Sequence, residues 1–416
     1  MINEIAQVDE RLIRKNLINL KQIVFEVTEK CNLNCVYCGL SDLYQEYEIR
    51  ENRDLPFEKA KLLIDYLINL WQDNQTVDAF FRLSVGFYGG EPLMNVTLIK
   101  EIIDYLELSE ITGKRIQYSM TTNALLLDKH MDFLVEKNFD LLISLDGDEK
   151  AHSYRMDHAG NNSFNRVMSN VLLIQTQYPE YFRKSVHFIS VLHNRNDVEP
   201  IYHFFKTRFE KDSKIIPLNN SGVRKDKIHE FREMYQWKSQ SLLKSPNCEA
   251  IEAEFFFDTP KGYRLAMYLF YLSGNIFFNY NQLLLNQHRF FTGTCTPFAK
   301  RLFVTATGNI LPCERIDHDF VMGCIHDDFV ELNFQHVANM FNSYLSKCAQ
   351  QCVCCATNKL CLQCVFFIDD IRNETSYCPD FCSEKEFDKD NDRTLDFLRQ
   401  HPHFYKKVLT EVGFRM

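Results

Sequence analysis

No apolar run in this sequence reaches the roughly 18 residues that a membrane-spanning helix needs. The stretch Met1 to Gln22 carries Glu4, Asp9, Glu10 and Arg11 among its apolar positions and lacks both an apolar h-region and a small-residue cleavage site. Export is therefore not expected, and the chain is read as cytoplasmic with no membrane partner. Positive charge is also short, since 47 basic residues against 56 acidic ones leave a formal net charge of −9. Phosphate contact needs clustered cations, so a general nucleic-acid binder is excluded, and short basic groups such as Arg183-Lys184 and Arg224-Lys225 read as solvated surface. Neither a GxGxxG sequence nor a Walker A loop is present, which removes the usual nucleotide cofactors. There is no repeat of solenoid period and no low-complexity tract.

What is abundant is cysteine. Fifteen of the 416 residues are cysteines, and in a reducing compartment so many thiols point to metal or redox chemistry rather than to a disulfide framework. Three lie between Cys31 and Cys38, one sits alone at Cys248, and eleven crowd into Cys295 to Cys382. Two separate metal-binding regions are expected. Apolar residues at 45% and charged residues at 25% are those of a globular chain, and at about 150 residues per domain the length allows two to three.

Strand-like and helix-like patterns alternate through the first half. Gln22 to Thr28, Arg82 to Tyr88, Arg115 to Thr121, Asp140 to Ser144, Ser185 to Leu192 and Lys214 to Leu218 are short, β-branched or aromatic, and bounded by turn residues. Phe57 to Trp71, Leu98 to Leu106, Asp128 to Glu136, Phe164 to Gln177 and Val198 to Phe209 repeat their apolar positions at helical spacing. Strand and helix repeated about six times imply a parallel sheet, open or curled into part of a barrel, with ligands at the carboxyl ends of its strands. Residues 219–292 break the rhythm with a charged stretch from Arg224 to Lys244 and an aromatic one from Phe255 to Phe291, read as bridging helices whose rings form core. Glu384 to Met416 reads as a helical tail.

Cys31-x3-Cys35-x2-Cys38 places three thiols in one loop directly after the first strand. Three close thiolates suit a cubane that leaves one iron open, whereas a closed tetrahedral zinc site wants four; spacing alone leaves a partial zinc knuckle as the other reading. With Thr28 before it and the aromatic Tyr37 ahead of Cys38, the loop resembles the signature of the radical S-adenosylmethionine (radical SAM) enzymes. The resemblance continues in Gly89-Gly90-Glu91-Pro92 after the second strand, similar to the family motif that receives the cofactor's methionine amino group: two glycines admit a close ligand, and Glu91 supplies an anionic acceptor. Thr122 and Asn123 end the third strand, and Ser144 and Asp146 end the fourth, offering partners for a ribose. Arg155 stands where family members place an arginine that holds the cofactor carboxylate.

The second region runs Cys295-x12-Gly308-x4-Cys313, then Cys352-x2-Cys355-x5-Cys361-x2-Cys364, then Cys378 and Cys382. It resembles the SPASM module of many radical SAM enzymes, with two residues between the last central pair where the family commonly has three. The resemblance implies two auxiliary [4Fe–4S] clusters, an inner one on Cys295, Cys313 and Cys364 and an outer one on Cys352, Cys355, Cys361 and Cys378. The inner cluster's fourth ligand is Cys324, Cys348 or an open iron; Cys382 is an alternative to Cys378, and Cys248 and Cys354 read as buried thiols. Taken without the first half, the same spacings would read as a zinc ribbon. Glu314, next to Cys313, stands where sulfatase-maturing relatives carry a proton acceptor, and burial beside an apolar cleft is expected to raise its pKa.

The implied fold is a partial (β/α)6 TIM-like barrel over 1–218, a bridging helical region over 219–292, a cysteine-rich SPASM domain over 293–382 and a helical tail over 383–416. The implied reaction is reductive cleavage of S-adenosylmethionine at a [4Fe–4S] cluster on Cys31, Cys35 and Cys38, followed by removal of hydrogen from a peptide or protein. The leading expectation is a maturase that forms a thioether or other side-chain crosslink in a ribosomally made precursor. Formylglycine formation in a sulfatase is the second, and a non-catalytic zinc-binding interaction protein the third. An external one-electron donor such as flavodoxin or ferredoxin is required. About 30 residues precede the first cysteine, too few for a winged leader-binding domain, so leader recognition is expected from a separate protein or from residues 219–292.

Overall fold

A computed structural model of the chain describes residues 7–44, 50–72, 81–109, 111, 114–219, 222–248, 251, 295–316, 318–358, 361, 363–368, 371–373 and 376–404. The aromatic stretch Phe255 to Phe291, and with it most of the expected bridging region, lies outside the described residues. Two compact units divide the chain: one comprises Arg11–Pro246 with Pro297–Phe334, the other Met1–Glu10, Asn247–Thr296 and Gln335–Met416.

The first unit is built on one twisted sheet. Strands β1 (Gln22–Thr28), β2 (Phe81–Gly89), β3 (Lys114–Thr122), β4 (Asp140–Ser144), β5 (Val186–Leu192) and β6 (Ser213–Pro217) follow one another in parallel, each pairing with the next. Parallel neighbours need a crossover, supplied by helices. These are α1 (Phe57–Gln72), α2 (Val96–Leu108), α3 (Leu127–Glu136), α4 (Phe164–Gln177), the short Pro179–Ser185 helix and Val198–Phe209. β1 buries every residue after Gln22, as expected of a strand covered on both faces. Phe188 is packed by Phe205 at 4.8 Å and Phe209 at 5.0 Å between ring centroids, and burial of each such ring stabilises by about 1.5–3 kcal/mol.

The sheet does not stop at six strands. β7 (Leu302–Val304) runs parallel to β1 on its free side, and β8 (Asn309–Leu311), β9 (Gly323–Ile325) and β10 (Val330–Glu331) continue as an antiparallel meander. The order is therefore β10-β9-β8-β7-β1-β2-β3-β4-β5-β6. Residues 293–382 are thus shared between the two units.

In the second unit, helix Phe334–Val353 buries Val337, Ala338, Phe341, Leu345, Cys348 and Cys352 on one face, with Phe341 edge-on to Phe366 at 5.6 Å. Helix Glu384–Gln400 begins with a capping box, in which Ser383 and Glu386 satisfy each other's backbone N–H groups, so the tail expected after residue 383 is helical through Gln400. No helix among the described residues is long and apolar enough to cross a membrane.

Candidate active site

The carboxyl ends of β1 to β5 meet around the first cysteine loop. β1 ends on Thr28, whose hydroxyl donates to Asp54 Oδ1 at 2.5 Å and accepts from Lys30 N at 3.1 Å, setting the exit angle of the chain. The loop is pinned by Asn34 N to Met156 O at 2.7 Å and Val36 N to Tyr154 O at 3.1 Å. Cys31, Cys35 and Cys38 are half-buried. Burial pushes the Cys31 thiol up to about 11 and the Cys35 thiol up to about 12.

These residues fit a cubane. Leu33 N donates to Cys31 Sγ at 3.5 Å and Asn123 Nδ2 lies 3.9 Å from the same sulfur, and N–H donors aimed at ligand sulfurs are among the groups that tune such clusters. Among the described residues no three or more His, Cys, Asp or Glu side chains close around a single metal ion.

Behind the loop, Gly89 and Gly90 bring the end of β2 against the end of β1. Gly89 has φ +134°, and a Cβ there would lie 2.2 Å from Thr28 O; one on Gly90 would lie 2.2 Å from Lys30 O. Only glycine fits either place. Glu91 follows, fully buried, accepting from Leu93 N at 3.1 Å, Thr122 Oγ1 at 2.7 Å and Asn123 N at 2.8 Å. Desolvation outweighs these three bonds and raises its carboxyl to about 7. Asn123 also donates to Asn32 Oδ1 at 2.7 Å, linking β3 to the cysteine loop.

Across the site, Asp146 is buried beside Tyr37, Arg155 and His193. Tyr37 donates its hydroxyl to Asp146 Oδ2, and Arg155 grips both oxygens, Nε to Oδ2 at 2.9 Å and Nη2 to Oδ1 at 3.1 Å. Burial alone would raise the Asp146 carboxyl; the Arg155 charge and hydrogen bonds, with the His193 ring 3.9 Å away, instead hold it far below the usual range. His193 stacks on the Tyr37 ring at 5.5 Å. Sequence reading missed His193, a single histidine after β5 with no motif to mark it. Ser144 is half-buried at the end of β4.

In the same unit Cys313 leaves β8 and Cys324 lies in β9, both half-buried. Glu314 is held by Arg301, whose Nη1 donates to both carboxylate oxygens, 2.6 Å from Oε2. The expectation of a raised Glu314 pKa is corrected. Burial does push it up, but the Arg301 charge and hydrogen bonds, with Arg315 nearby, leave it below the usual glutamate value. Arg301 carried no sequence signal for this role.

In the second unit Cys348 and Cys352 lie four residues apart on one helix face, and the Cys352 thiol feels Cys348, Cys361, Cys378 and Cys355 around it. Desolvation first, then these neighbours, raise it to about 12. Cys382 N donates to Cys355 Sγ at 3.5 Å. The structure therefore sets Cys348 and Cys382 beside the expected outer quartet. Cys295 is exposed and Cys364 half-buried. Cys354 is exposed and Cys248 half-buried, which corrects the expectation that both are buried thiols: Cys354 directly follows the end of helix Phe334–Val353, off the face that the helix buries.

Residues 25–205 match the family model of the Radical SAM superfamily, which upholds the resemblance carried by the cysteine loop. A cysteine-type anaerobic sulfatase-maturating enzyme of Clostridium novyi is 26% identical over 204 residues, covering 48% of this chain and 51% of that protein. A radical SAM cyclopropyl synthase, TigE, of Paramaledivibacter caminithermalis is 29% identical over 165 residues, covering 38% of this chain and 33% of that protein. The chain thus spans between a third and about half the length of these curated relatives. Among solved structures, native anSMEcpe with bound AdoMet and the Cp18Cys peptide superposes with a TM-score of 0.57 at 17% identity, over 94% of this chain and 99% of that one. The fold is shared across nearly the whole chain, and the expected α/β partial barrel with a cysteine-rich carboxyl-terminal region is borne out.

Proposed function

We propose that this chain is a radical SAM enzyme with auxiliary iron–sulfur clusters that modifies a peptide or protein, forming a thioether or another side-chain crosslink in a ribosomally made precursor. The observation that carries the reading is the meeting at one set of strand ends of three thiols, two sterically required glycines and a buried carboxylate. When bound, a [4Fe–4S] cluster with an open iron supplies reductive cleavage of S-adenosylmethionine, and so a carbon radical able to take hydrogen from a substrate.

The chain's own residues bind, orient and exclude water. Cys31, Cys35 and Cys38 hold the cluster and leave one iron for the amino and carboxylate groups of the cofactor. Gly89 and Gly90 let the backbone approach the methionine part, and Glu91 accepts from its ammonium, a charged partner that offsets the cost of ionising a buried carboxyl. Thr122 and Asn123 hold Glu91 in place, and Ser144 offers a hydroxyl at the next strand end. Tyr37, Arg155 and the loop between β4 and the following helix close the far side. Glu314, kept ionised by Arg301, is in the state needed to accept a proton from substrate. The cysteines of the second region would hold auxiliary clusters, which would supply an acceptor for the electron released with product or a ligand site for a substrate sulfur; an external donor such as flavodoxin or ferredoxin would supply the first electron, and a separate protein or residues 219–292 would recognise the leader.

Formylglycine formation is the second reading, favoured by the sulfatase-maturating relative and by Glu314. Anaerobic reconstitution followed by mass spectrometry of candidate substrates separates the possibilities. Loss of two hydrogens with a new bond to a cysteine sulfur supports crosslinking, and an aldehyde in place of a cysteine or serine side chain supports formylglycine. A colourless protein holding zinc and releasing no 5′-deoxyadenosine would return the chain to the non-catalytic zinc reading.

A further inference from the structure

Asp146 sits at the end of β4, where a ribose partner is expected, yet its carboxylate has no capacity left. An ionised carboxylate offers about four acceptor positions on its two oxygens. Oδ1 takes Val191 N at 2.9 Å and Arg155 Nη2 at 3.1 Å. Oδ2 takes Arg155 Nε at 2.9 Å and the Tyr37 hydroxyl. The side chain is 0% exposed, so four donors fill four positions in a place water does not reach. The main chain of Asp146 is committed as well, with its N–H on His152 Nδ1 at 3.3 Å and its carbonyl accepting from Asn196 Nδ2 at 3.3 Å.

The donors come from different elements. Tyr37 belongs to the cysteine loop, between Cys35 and Cys38; Arg155 follows β4; Val191 lies in β5. Further packing tightens the same group. The Arg155 guanidinium lies over the Tyr37 ring at 5.4 Å, and Tyr154 meets Tyr37 edge-on at 6.1 Å. Arg155 spends Nε and Nη2 on Asp146 and makes no hydrogen bond through Nη1 to any described residue. Its fork is thus oriented by one anion with an edge remaining for another.

We infer that Asp146 is a positioning residue, which fastens the aromatic residue of the cysteine loop and the Arg155 fork to the end of β4 and makes no contact of its own with the ribose of the cofactor. This rests on the function proposed above. Its consequence is that Asp146 governs how rigidly the cluster-bearing loop is held and where Arg155 points, while a ribose hydroxyl finds its partners elsewhere.

The test uses the full chain reconstituted anaerobically with iron and sulfide, comparing wild type with Asp146→Asn, Tyr37→Phe and the double variant. Binding of S-adenosylmethionine and of its 2′-deoxy and 3′-deoxy analogues is measured, together with the electron paramagnetic resonance spectrum of the reduced protein. Asp146→Asn should weaken all three ligands by one common factor, about tenfold, and change the spectrum with and without ligand. Tyr37→Phe, which removes only the hydroxyl, should produce part of that spectral change, and the double variant should change it no further than Asp146→Asn. If the deoxy analogues bind wild type more weakly yet bind Asp146→Asn as well as the full cofactor does, Asp146 holds the ribose and the inference is overturned. Wild-type affinities and spectrum in Asp146→Asn overturn it too, by reducing the network to packing. Should Asp146→Asn fail to fold, an unchanged spectrum in Tyr37→Phe is the overturning result. A wild-type protein that takes up no cluster overturns the functional reading and this inference with it, whereas an unaffected variant of a cluster-bearing protein overturns the inference alone.

Discussion

The Thr122 hydroxyl donates to Oε1 of Glu91 at 2.7 Å, joining the end of β3 to the turn after β2. Burial nevertheless raises the Glu91 carboxyl to about 7 from an ordinary value of 4.5. A raised carboxyl means that the folded chain holds the proton more tightly than the unfolded one. The stability Glu91 contributes is therefore complete below about 4.5 and is lost as pH rises through about 7, amounting to about 3 kcal/mol across that window. Urea unfolding of ligand-free protein between these limits should show this slope, and Glu91→Gln should flatten it. An ammonium on Glu91 reverses the sense for binding: cofactor affinity should increase as pH rises toward and past 7 in wild type, and should be both weaker and flatter in Glu91→Gln.

Glycine at position 90 is required by backbone rather than by a flexible side chain. A Cβ there would lie 2.2 Å from Lys30 O and 2.7 Å from Glu29 O, and neither carbonyl can swing aside without moving the start of the cysteine loop. Gly90→Ala should destabilise the protein by about 1–3 kcal/mol and lower iron retention at the first cluster. Gly39→Ala, at a place where nothing lies within 4 Å, should leave thermal unfolding and iron content unchanged.

Arg301 and Glu314 make a half-buried pair in which one guanidinium nitrogen serves both carboxylate oxygens. If Glu314 accepts the substrate proton, Glu314→Gln should leave 5′-deoxyadenosine formation within about twofold of wild type and reduce modified peptide by about 10²-fold or more. Arg301→Ala, which keeps the carboxylate but frees it, should lower product yield less than Glu314→Gln does. Equal loss of both products in Glu314→Gln would assign the pair to structure.

Much of this architecture is legible in the sequence because its signals are local. Gln22–Thr28, Asp140–Ser144, Phe164–Gln177 and Val198–Phe209 stand in the structure with the bounds their patterns predict. The cysteine loop and the Gly89-Gly90-Glu91 turn are contiguous, and strand order alone brings them together. β7 to β10 were not legible: strands of two or three residues give no alternation to read, and β7 finds its place only by pairing Phe303 with Val24 across the chain. The same limit explains the site. Arg155 and Asp146 could each be marked from sequence as cofactor partners, but the ion pair that commits them to one another is visible only when β4, β5 and the cysteine loop converge. Arg301 and His193 act through neighbours distant in sequence or without motif, and no periodicity announces them.

The two cysteine regions should separate functionally. If Cys31, Cys35 and Cys38 hold the cluster that cleaves the cofactor, Cys35→Ala should remove about four irons of about twelve and abolish 5′-deoxyadenosine. The second-unit cysteines have a different dependence. Cys352 lies on a helix face with Cys348, and Cys355 accepts from Cys382 N, so two of the expected ligands, Cys352 and Cys355, each have a further cysteine beside them. A single Cys352→Ala should therefore lose less than a full cluster, with Cys348 substituting, while Cys348→Ala/Cys352→Ala together should lose about four irons and keep cofactor cleavage. Iron analysis with Mössbauer spectroscopy, alongside 5′-deoxyadenosine release, measures both arms. Full loss of those irons in Cys352→Ala alone would show that Cys348 is packing, since a thiol held on the same face but unable to reach an iron cannot rescue the site.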